Sequence, residues 1–451
     1  MYTKRLLAYF LGLLSVLYFN QLNAQDNICS MWTDCNLTLS SNTTPEPSRS
    51  SNFVFDQETE HFVFFQQNDS PNYGNYDPNS YQNMIDQLEC GYRYLVCEVG
   101  LIPPSLTDKT QIYVGDHPSR AYTYEDFLDQ SDYFVTDPFV FDYTYSTMTH
   151  EFFHKIQFDS YIYTGYLNVN EGLASLVEQL PSELNFSTSL GKVGRTTAFS
   201  QPHSSGSYGL NVFLRYMFEQ IQGPPATPLD VNSDWAVGEQ LLAFMDTLVS
   251  VGPNLNLPDY LAVYLPTAIT ANSTVLNLDN LYDNFQVARY AYPHVDPLIQ
   301  PRASFQNKDT YLNHYGNLNF YSTGNILNVG TVLNFDNSNV IYGPVQDYGF
   351  QYFLNAEYHI IEPDLANVGR MRFEKTLYDD FIRFQIMIRD DTQGKVYRRK
   401  ILQGTTTTET LNIPQNVTVS EMVLVIYTVD GNPVTTGNGK TFTMTIEGLT
   451  P

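Results

Sequence analysis

The chain has few charged side chains, and positively charged ones are the scarcest. Charged residues make up 16% of its 451 residues, and 23 Lys and Arg stand against 48 Asp and Glu, which gives a formal net charge of −25. Proteins that bind nucleic acid need clustered cations to neutralise phosphate groups. This deficit of cations excludes nucleic acid from the expected partners. The hydrophobic fraction of 43% is that of a chain that folds around a buried core.

Long apolar runs are also lacking, apart from one at the N-terminus. Lys4 and Arg5 precede a nearly continuous apolar stretch over residues 6–19, and the polar stretch that follows reaches Ala24. This order of features is typical of a secretory signal peptide, and the run is too short to span a bilayer comfortably. We therefore expect residues 1–24 to be a signal peptide, with an uncleaved anchor as the alternative. The predicted product is a secreted protein without a transmembrane segment after signal removal.

Cysteine is scarce as well, since only Cys29, Cys35, Cys90 and Cys97 occur. An even number in an exported chain predicts two disulfide bonds. Cys90 and Cys97 lie in a segment with helical periodicity, where seven residues span about 10.5 Å, beyond the disulfide reach of about 7 Å. We therefore expect Cys29 and Cys35 each to pair with one of these two. A break in the helix at Gly91 would allow local pairs instead.

Asparagine occurs six times in the pattern Asn-x-Ser/Thr, the acceptor sequence for N-linked glycans. These residues are Asn36, Asn42, Asn68, Asn185, Asn272 and Asn416. A glycoprotein is expected if the host modifies secreted chains, and unmodified surface residues are the alternative.

The N-terminal part of the mature chain combines predicted strands with one helix. Residues 25–52 form a Ser/Thr/Pro-rich segment, in which 38–52 are typical of a flexible linker. Residues 80–99 carry apolar side chains at helical spacing. Apolar and aromatic runs predict extended segments over 61–65, 111–114 and 133–143.

From residue 146 the pattern becomes helical, and from about residue 315 it becomes extended again. Apolar residues at helical spacing predict helices over 146–161, 170–180, 208–222, 237–251 and 258–270. The C-terminal part alternates short apolar runs with Asn, Gly, Asp and Pro, which is typical of an antiparallel β-sandwich. The threonines at 405–408 indicate a loop or a strand edge. The apolar runs are Val340–Tyr342, Gly349–Leu354, Phe381–Ile388, Glu421–Tyr427 and Thr441–Ile446.

One predicted helix carries the pattern His-Glu-x-x-His at residues 150–154. Residues four apart lie on one face of a helix about one turn from each other, so His150 and His154 can bind one zinc ion. Glu151 adjoins the first ligand and can reach a water on the metal, whose pKa zinc lowers to about 7. The alternative is a solvated helix with two unrelated histidines. The apolar side of the helix is expected to consist of Phe152, Phe153 and Ile156.

A third ligand is expected at Glu171, seventeen residues after His154. Catalytic zinc sites use three protein ligands and leave the next position to water. A turn near Gly165 can bring the next helix back antiparallel. The alternatives are that Glu171 only stabilises a helix N-terminus, or that Asp159 is the third ligand. Glu171 and Ser175 lie on a different face from the apolar stripe of that helix, which comprises Leu173, Leu176, Val177 and Leu180.

Together with the His-Glu-x-x-His pattern, the sequence Asn-Glu-Gly-Leu-Ala at 170–174 resembles the gluzincins, the thermolysin-like zinc peptidases whose third ligand is a Glu on the next helix. This resemblance implies that His150, His154 and Glu171 bind Zn2+ and that Glu151 is the general base. The two sequences are also similar to those of secreted metallopeptidases with a C-terminal β domain.

The resemblance covers about residues 80–220, is specific over 147–178, and has departures. Thermolysin-like enzymes often carry an Asp four residues after the ligand Glu, where this chain has Ser175. The aminopeptidase motif GxMEN is absent, which favours an endopeptidase. Gln157 and Ser160 stand where the metzincin pattern has Gly and its third His, so a metzincin is excluded.

Peptide hydrolysis also needs a hydrogen-bond donor for the developing oxyanion. Gluzincins often use a downstream Tyr or His for this purpose, and the nearest such residues here are Tyr208 and His203. The alternatives are that Tyr208 only begins a helix and that His203 lies in a Gly/Ser-rich loop.

The predicted fold class is α+β. A thermolysin-like zincin catalytic domain over 53–314, with an N-terminal mixed sheet and a helical C-terminal part, precedes an antiparallel β-sandwich over 315–451. An extended substrate is expected along an edge strand upstream of residue 146, at 111–114 or 133–140. The β domain is expected to contact carbohydrate or protein, or only to support the catalytic domain.

The predicted function is that of a secreted zinc metalloendopeptidase that hydrolyses a peptide or protein substrate with a zinc-bound water activated by Glu151. One alternative is a non-catalytic secreted binding or adhesion protein that retains a zinc site. Another is a zinc hydrolase that acts on a non-peptide bond.

Overall fold

The computed structural model contains both helices and sheets and divides into two compact units, residues 1–163 with 177–185 and residues 164–176 with 186–451. The predicted signal peptide and the predicted boundary after residue 314 lie outside the described residues and stay predictions. The described residues are 35–45, 52–69, 78–115, 121–126, 131–136, 146–162, 167–177, 206–222, 232–253, 255, 257–268, 278–291, 327–328, 332–336, 356–362, 370–377, 382–390, 395–401, 406–412, 421–428 and 441–449.

The first unit contains a five-stranded mixed sheet with the strand order β1-β2-β3-β5-β4. β3 pairs in parallel with β2 and with β5, whereas the outer pairs β1–β2 and β4–β5 are antiparallel. A mixed N-terminal sheet is therefore confirmed. The strands are β1 (Phe53–Glu58), β2 (Phe62–Gln67), β3 (Thr110–Val114), β4 (Ala121–Asp126) and β5 (Ser131–Thr136).

The edges of this sheet are not where the sequence predicts them. Residues 111–114 belong to β3, the central strand, and β5, which contains the described part of 133–140, has strands on both sides. Both predicted positions for an edge strand are therefore wrong. Within the described part of the chain, the two edges are β1 and β4, and β4 is the edge beside β5.

Strand β2 forms the core of the first unit because both of its faces are covered. Val63 and Phe65 pack with Phe53 and Tyr113 on one face. On the other face, Phe62 lies 5.4 Å from Phe152 between ring centroids. A strand that is buried on both faces has a continuous apolar sequence. This pattern predicts a buried strand at 61–65, and the structure confirms it.

Helix α1 (Pro78–Tyr92) crosses this core and continues as a π-helical turn over Arg93–Glu98. The continuous helix predicted for 80–99 is thus confirmed in position but changes its winding at its end. The wider turn carries Cys97, whose disulfide partner is Cys35, with 4.9 Å between the Cα atoms. Cys90 is disulfide-bonded as well, whereas Cys29 lies outside the described residues.

The segment after Cys35 is held against the body of the first unit by hydrogen bonds. The amide of Ser40 donates to the carbonyl of Thr107, and the amide of Lys109 donates to the carbonyl of Ser40. The side chain of Gln111 donates to the carbonyl of Asn42. The prediction of a flexible linker from residue 38 is therefore wrong for residues 40–42, because their backbone groups have fixed partners.

Six further helices follow among the described residues, and five of them lie where helical spacing predicts them. The sixth, α7, was missed. In the first unit, α2 packs against α1, β4 and β5; in the second unit, α4 packs against α5 and α7. None of the described helices is long and apolar enough to cross a membrane. The helices are α2 (Ser146–Ser160), α3 (Leu167–Val177), α4 (Gly206–Gln222), α5 (Asn232–Val251), α6 (Leu257–Ala268) and α7 (Leu278–Ala291).

The C-terminal strands form two sheets, with the orders β11-β10-β13-β8-β6 and β12-β9-β14-β7. All their pairs are antiparallel except β6–β8. Three predicted runs correspond to β10, β13 and β14, and the threonine run is in the edge strand β12; the runs at 340–342 and 349–354 lie outside the described residues. The strands are β6 (Leu327–Asn328), β7 (Val332–Asp336), β8 (Ala356–Glu362), β9 (Arg370–Leu377), β10 (Ile382–Asp390), β11 (Lys395–Ile401), β12 (Thr406–Asn412), β13 (Glu421–Thr428) and β14 (Thr441–Leu449).

Strand β10 connects the five-stranded sheet of the C-terminal part to the helices of the second unit. Residues 384–388 are buried on both faces of this strand, which lies between β11 and β13. The buried side chain of Gln385 donates a hydrogen bond to the backbone carbonyl of Asp283 in α7, at 2.9 Å. A buried amide needs such a partner, so this bond fixes the register of α7 against the sheet.

Candidate metal centre

Helix α2 presents two histidine side chains to the same point. The Nε2 atoms of His150 and His154 are 3.1 Å apart, and their rings stand nearly perpendicular, at 83°. Both residues are only 5% exposed. Residues four apart on a helix stand one above the other, so the helix alone produces this pairing.

The aromatic packing of α2 fixes the direction in which the histidines point. Phe152, Phe153 and Ile156 are fully buried, as predicted for the apolar side of the helix. The ring of Phe152 stacks on that of Tyr92 in α1 at 5.6 Å. Gly91 of α1 allows a close approach, because a Cβ atom there would lie 3.0 Å from Oγ1 of Thr149. Rotation of α2 about its axis is thereby prevented, which holds both imidazoles in place.

The carboxylate of Glu171 in α3 completes a group of three ligating side chains. One ligand atom each from His150, His154 and Glu171 can be chosen so that all three lie within 4.8 Å of one another. Glu171 is half-buried, whereas the neighbouring Asn170 and Ser175 are fully buried. The sequence-based grouping of these three side chains is thus what the structure shows, and the group can bind a metal ion.

The separation between the two histidine nitrogens fits a metal ion. Two nitrogen ligands about 2.0–2.1 Å from a tetrahedrally coordinated ion are about 3.3–3.4 Å apart. The observed 3.1 Å between the Nε2 atoms is within a few tenths of an ångström of that value. Two imidazoles and one carboxylate also form a donor set that suits several divalent transition metals.

The amide of Gln157 contacts the second histidine. Its Oε1 atom lies 2.8 Å from Nδ1 of His154, on the side of the ring opposite Nε2. Gln157 is fully buried. In the sequence, Gln157 stands out only as a departure from the metzincin pattern. Its position three residues after His154 is nevertheless a usable signal, because residues i and i+3 share a helix face.

A second group of possible ligands consists of Glu60, His61 and Glu89. Its members already pair with protein groups: Nδ1 of His61 lies 2.6 Å from Glu89, and Arg93 lies 2.9 Å from Glu60. Burial alone would raise the pKa of Glu89, but the hydrogen bond from the His61 side chain holds that pKa below its usual range. A cation would have to compete with Arg93, so this group is an internal ion-pair cluster.

The remaining predicted site residues are Glu151, Tyr208, His203 and Asp159. Glu151 follows the first histidine and is half-buried. Tyr208 lies in α4, but its side chain is not among the described ones, and His203 lies outside the described residues. Asp159, the alternative third ligand, instead forms an ion pair with Lys155 at 3.0 Å. It belongs to neither ligand group found among the described residues.

Comparison with known proteins assigns no family to this chain. No protein-family model matches it, and no curated protein sequence matches it.

Proposed function

We propose that this chain is a secreted zinc metallopeptidase of the gluzincin type. The observation that carries the proposal is the grouping of His150, His154 and Glu171, with Glu151 next to the first histidine in the chain. A structural metal site requires ligands but no base. A carboxylate that adjoins a ligand and is itself only half-buried is what a hydrolytic site requires.

Zinc is the metal that this donor set favours in a hydrolase. Two imidazoles and one glutamate, with a further position left for water, are the ligands of catalytic zinc in gluzincins. When bound, zinc supplies Lewis acidity that polarises a carbonyl group and makes water a stronger acid. The buried faces of α2 keep both histidines in place for this ion.

Glu151 is the residue that moves the proton. Its carboxylate accepts a proton from the attacking water and delivers it to the amine that leaves when the peptide bond breaks. This role suits a half-buried carboxylate, because water can reach it. A donor for the oxyanion is assigned to Tyr208, with His203 as the second choice.

The substrate is an extended peptide that pairs with β4. This strand is an edge among the described residues, and α2, which carries both histidines, packs directly against it. An edge strand has unpaired backbone donors and acceptors that bind a peptide without regard to its side chains. This arrangement favours cleavage within a chain and therefore an endopeptidase.

Several features of the chain support secretion and the proposed domain architecture. Disulfide bonds such as Cys35–Cys97 persist in oxidising compartments, in agreement with the predicted signal peptide. Asn36, Asn42 and Asn68 are exposed, as acceptors for glycans must be. The two C-terminal sheets are suited to form a β-sandwich that contacts carbohydrate or protein. The helices and the mixed sheet are compatible with an α+β catalytic domain.

The deciding experiment combines metal analysis with a substitution of the base. The purified protein is expected to contain about one zinc per chain, and a variant with His150→Ala and His154→Ala none. Glu151→Gln keeps the shape of the side chain but removes the base, so peptide-library hydrolysis should fall by about 10²–10⁴-fold while zinc content is retained. Glu239→Gln, at an exposed position in α5, is the matched control.

Each of the other possible results would contradict a different part of the proposed function. Full hydrolysis by Glu151→Gln would exclude Glu151 as the base. Zinc without hydrolysis of peptides, but with hydrolysis of ester or glycan substrates, would favour a zinc hydrolase of a different bond. Zinc without any hydrolysis would favour a binding or adhesion protein, and a wild-type protein that takes up no zinc would refute the peptidase.

A further inference from the structure

The imidazole of His154 lies between two different partners. Its Nε2 atom faces Nε2 of His150 at 3.1 Å, and its Nδ1 atom faces Oε1 of Gln157 at 2.8 Å. The second distance is that of an N–H···O hydrogen bond. A neutral imidazole carries one proton, so the partner of one nitrogen determines whether the other nitrogen can bind a metal.

Gln157 favours the tautomer that a metal ligand needs. A carbonyl oxygen can only accept a hydrogen bond, so Oε1 of Gln157 places the proton of His154 on Nδ1 and leaves the lone pair on Nε2. The contact is made within α2, and Gln157 is fully buried. Water therefore does not compete for this bond, which strengthens it.

The opposite orientation of the amide would have the opposite effect. With its NH2 group towards His154, Gln157 would donate to Nδ1 and the proton would move to Nε2. That proton would point at Nε2 of His150, 3.1 Å away, and would block the nitrogen from binding a metal. In the observed orientation, Nε2 of Gln157 is buried and, within the described part of the chain, has no hydrogen-bond partner.

We propose that Gln157 is a positioning residue for the metal centre: its Oε1 atom holds His154 as the Nδ1–H tautomer and thereby sets the affinity for the metal. The inference rests on the metal site in the proposed function but not on the reaction catalysed there. Partners that orient a ligating histidine typically contribute about 10- to 100-fold to metal affinity.

Zinc affinity of three variants tests this role, measured by competition with a chelator of known affinity. Gln157→Met keeps the length of the side chain but removes the acceptor, so its zinc Kd should rise by about 10- to 100-fold. Gln157→Glu keeps an acceptor at the same place and should bind zinc at least as tightly as the wild type. Gln87→Met, at a buried position in α1, is the control and should leave the Kd unchanged.

A packing role and an orienting role give different results. If Gln157 only fills space, Gln157→Met lowers the melting temperature of the metal-free protein but binds zinc with the wild-type Kd, and the proposal is wrong. A wild-type protein that takes up no zinc removes both the metal centre and this inference. If the wild type binds zinc and Gln157→Met binds it with the same Kd, the role of Gln157 is refuted but the metal centre is not.

A measurement on the wild type keeps the test valid if Gln157→Met does not fold. In zinc-loaded protein with 15N-labelled histidine, the Nδ1–H proton of His154 should give a slowly exchanging NMR signal, because it is bonded to a buried amide oxygen. Gln157→Glu should retain this signal. Its absence from the zinc-loaded wild type would overturn the proposal.

Discussion

Replacing Gly172 by Ala should destabilise the protein, although the same change usually stabilises a helix. Gly172 lies inside α3, directly after Glu171. A Cβ atom at this position would lie 2.9 Å from Cβ of Leu210 in α4 and 3.1 Å from its Cγ. The Cβ atom of Leu210 cannot move without the backbone of α4, so the two helices would have to separate.

Two opposing effects determine the size of the change. An extra methyl group forced into a packed core costs about 1–3 kcal/mol. Ala in place of Gly inside a helix gains about 1 kcal/mol. The expected net loss in the free energy of unfolding is therefore about 0–2 kcal/mol, and a loss of about 1 kcal/mol changes the folding equilibrium roughly five-fold. Zinc affinity should fall as well, because the displacement includes Glu171.

Urea unfolding in zinc-free buffer, followed by circular dichroism, measures the stability without help from the metal. Gly91→Ala is the comparison, because its new Cβ atom would meet the hydroxyl of Thr149 at 3.0 Å, and a hydroxyl can rotate away. Its cost should be smaller than that of Gly172→Ala. A Gly172→Ala variant more stable than the wild type by about 1 kcal/mol would refute the reasoning, because only helix propensity would then be acting.

Two further predictions concern buried charges. The pKa of Glu89 is lowered in the folded protein by its bond with His61, so its contribution to stability is present above the unfolded pKa of about 4.3 and is lost as the pH falls through the folded value. Glu89→Gln should flatten the acid end of the stability profile measured by urea unfolding, and an unchanged slope would contradict this cause. Arg215 and Glu219 form an ion pair of 3.1 Å in α4 with side chains only 1% and 7% exposed. Arg215→Met should lower the free energy of unfolding by about 3–5 kcal/mol, and a second change, Glu219→Leu, should restore most of it. Equal losses in the single and double variants would exclude the ion pair as the cause.

The pairing of His150 with His154 could be predicted from the sequence because its geometry is local. Four residues make about one helical turn, so a helix over 150–154 brings the two imidazoles together whatever surrounds it. Gln157 was predictable on the same grounds, since it follows His154 by three residues. The prediction of Glu171 needed more than helical spacing, because a side chain on another helix is placed by the fold. It used the ligand number of catalytic zinc sites, a turn near Gly165 and the resemblance.

The order of the strands could not be predicted in the same way. Along the chain β4 precedes β5, but in the sheet β5 pairs with β3 and β4 lies outside it. This exchange makes β5 an interior strand and β4 the edge, whereas β3 lies in the middle in either order. No residue in either strand encodes this order. The order depends on which strand reaches β3 first and on how the connections fit the twisted sheet.

Helix α7 was not predicted, although Leu281, Tyr282, Phe285 and Ala288 recur at helical spacing. Burial in α7 extends beyond this stripe to polar residues, because Asp283, Asn284 and Gln286 are also buried. One of these buried polar residues has a distant partner. Gln385, 102 residues after Asp283, donates a hydrogen bond to the carbonyl of Asp283. A stabilising partner so distant in sequence leaves no local pattern.

The disulfide bond between Cys35 and Cys97 determines what a cut in the backbone of this protein would release. Any single break in the backbone between these two cysteines leaves both pieces joined by a covalent bond. The nicked protein would migrate as one species on a gel without reductant and as two with it. A cut between Cys35 and Cys97 therefore releases no N-terminal peptide, so removal of such a peptide during maturation requires a cut outside this interval.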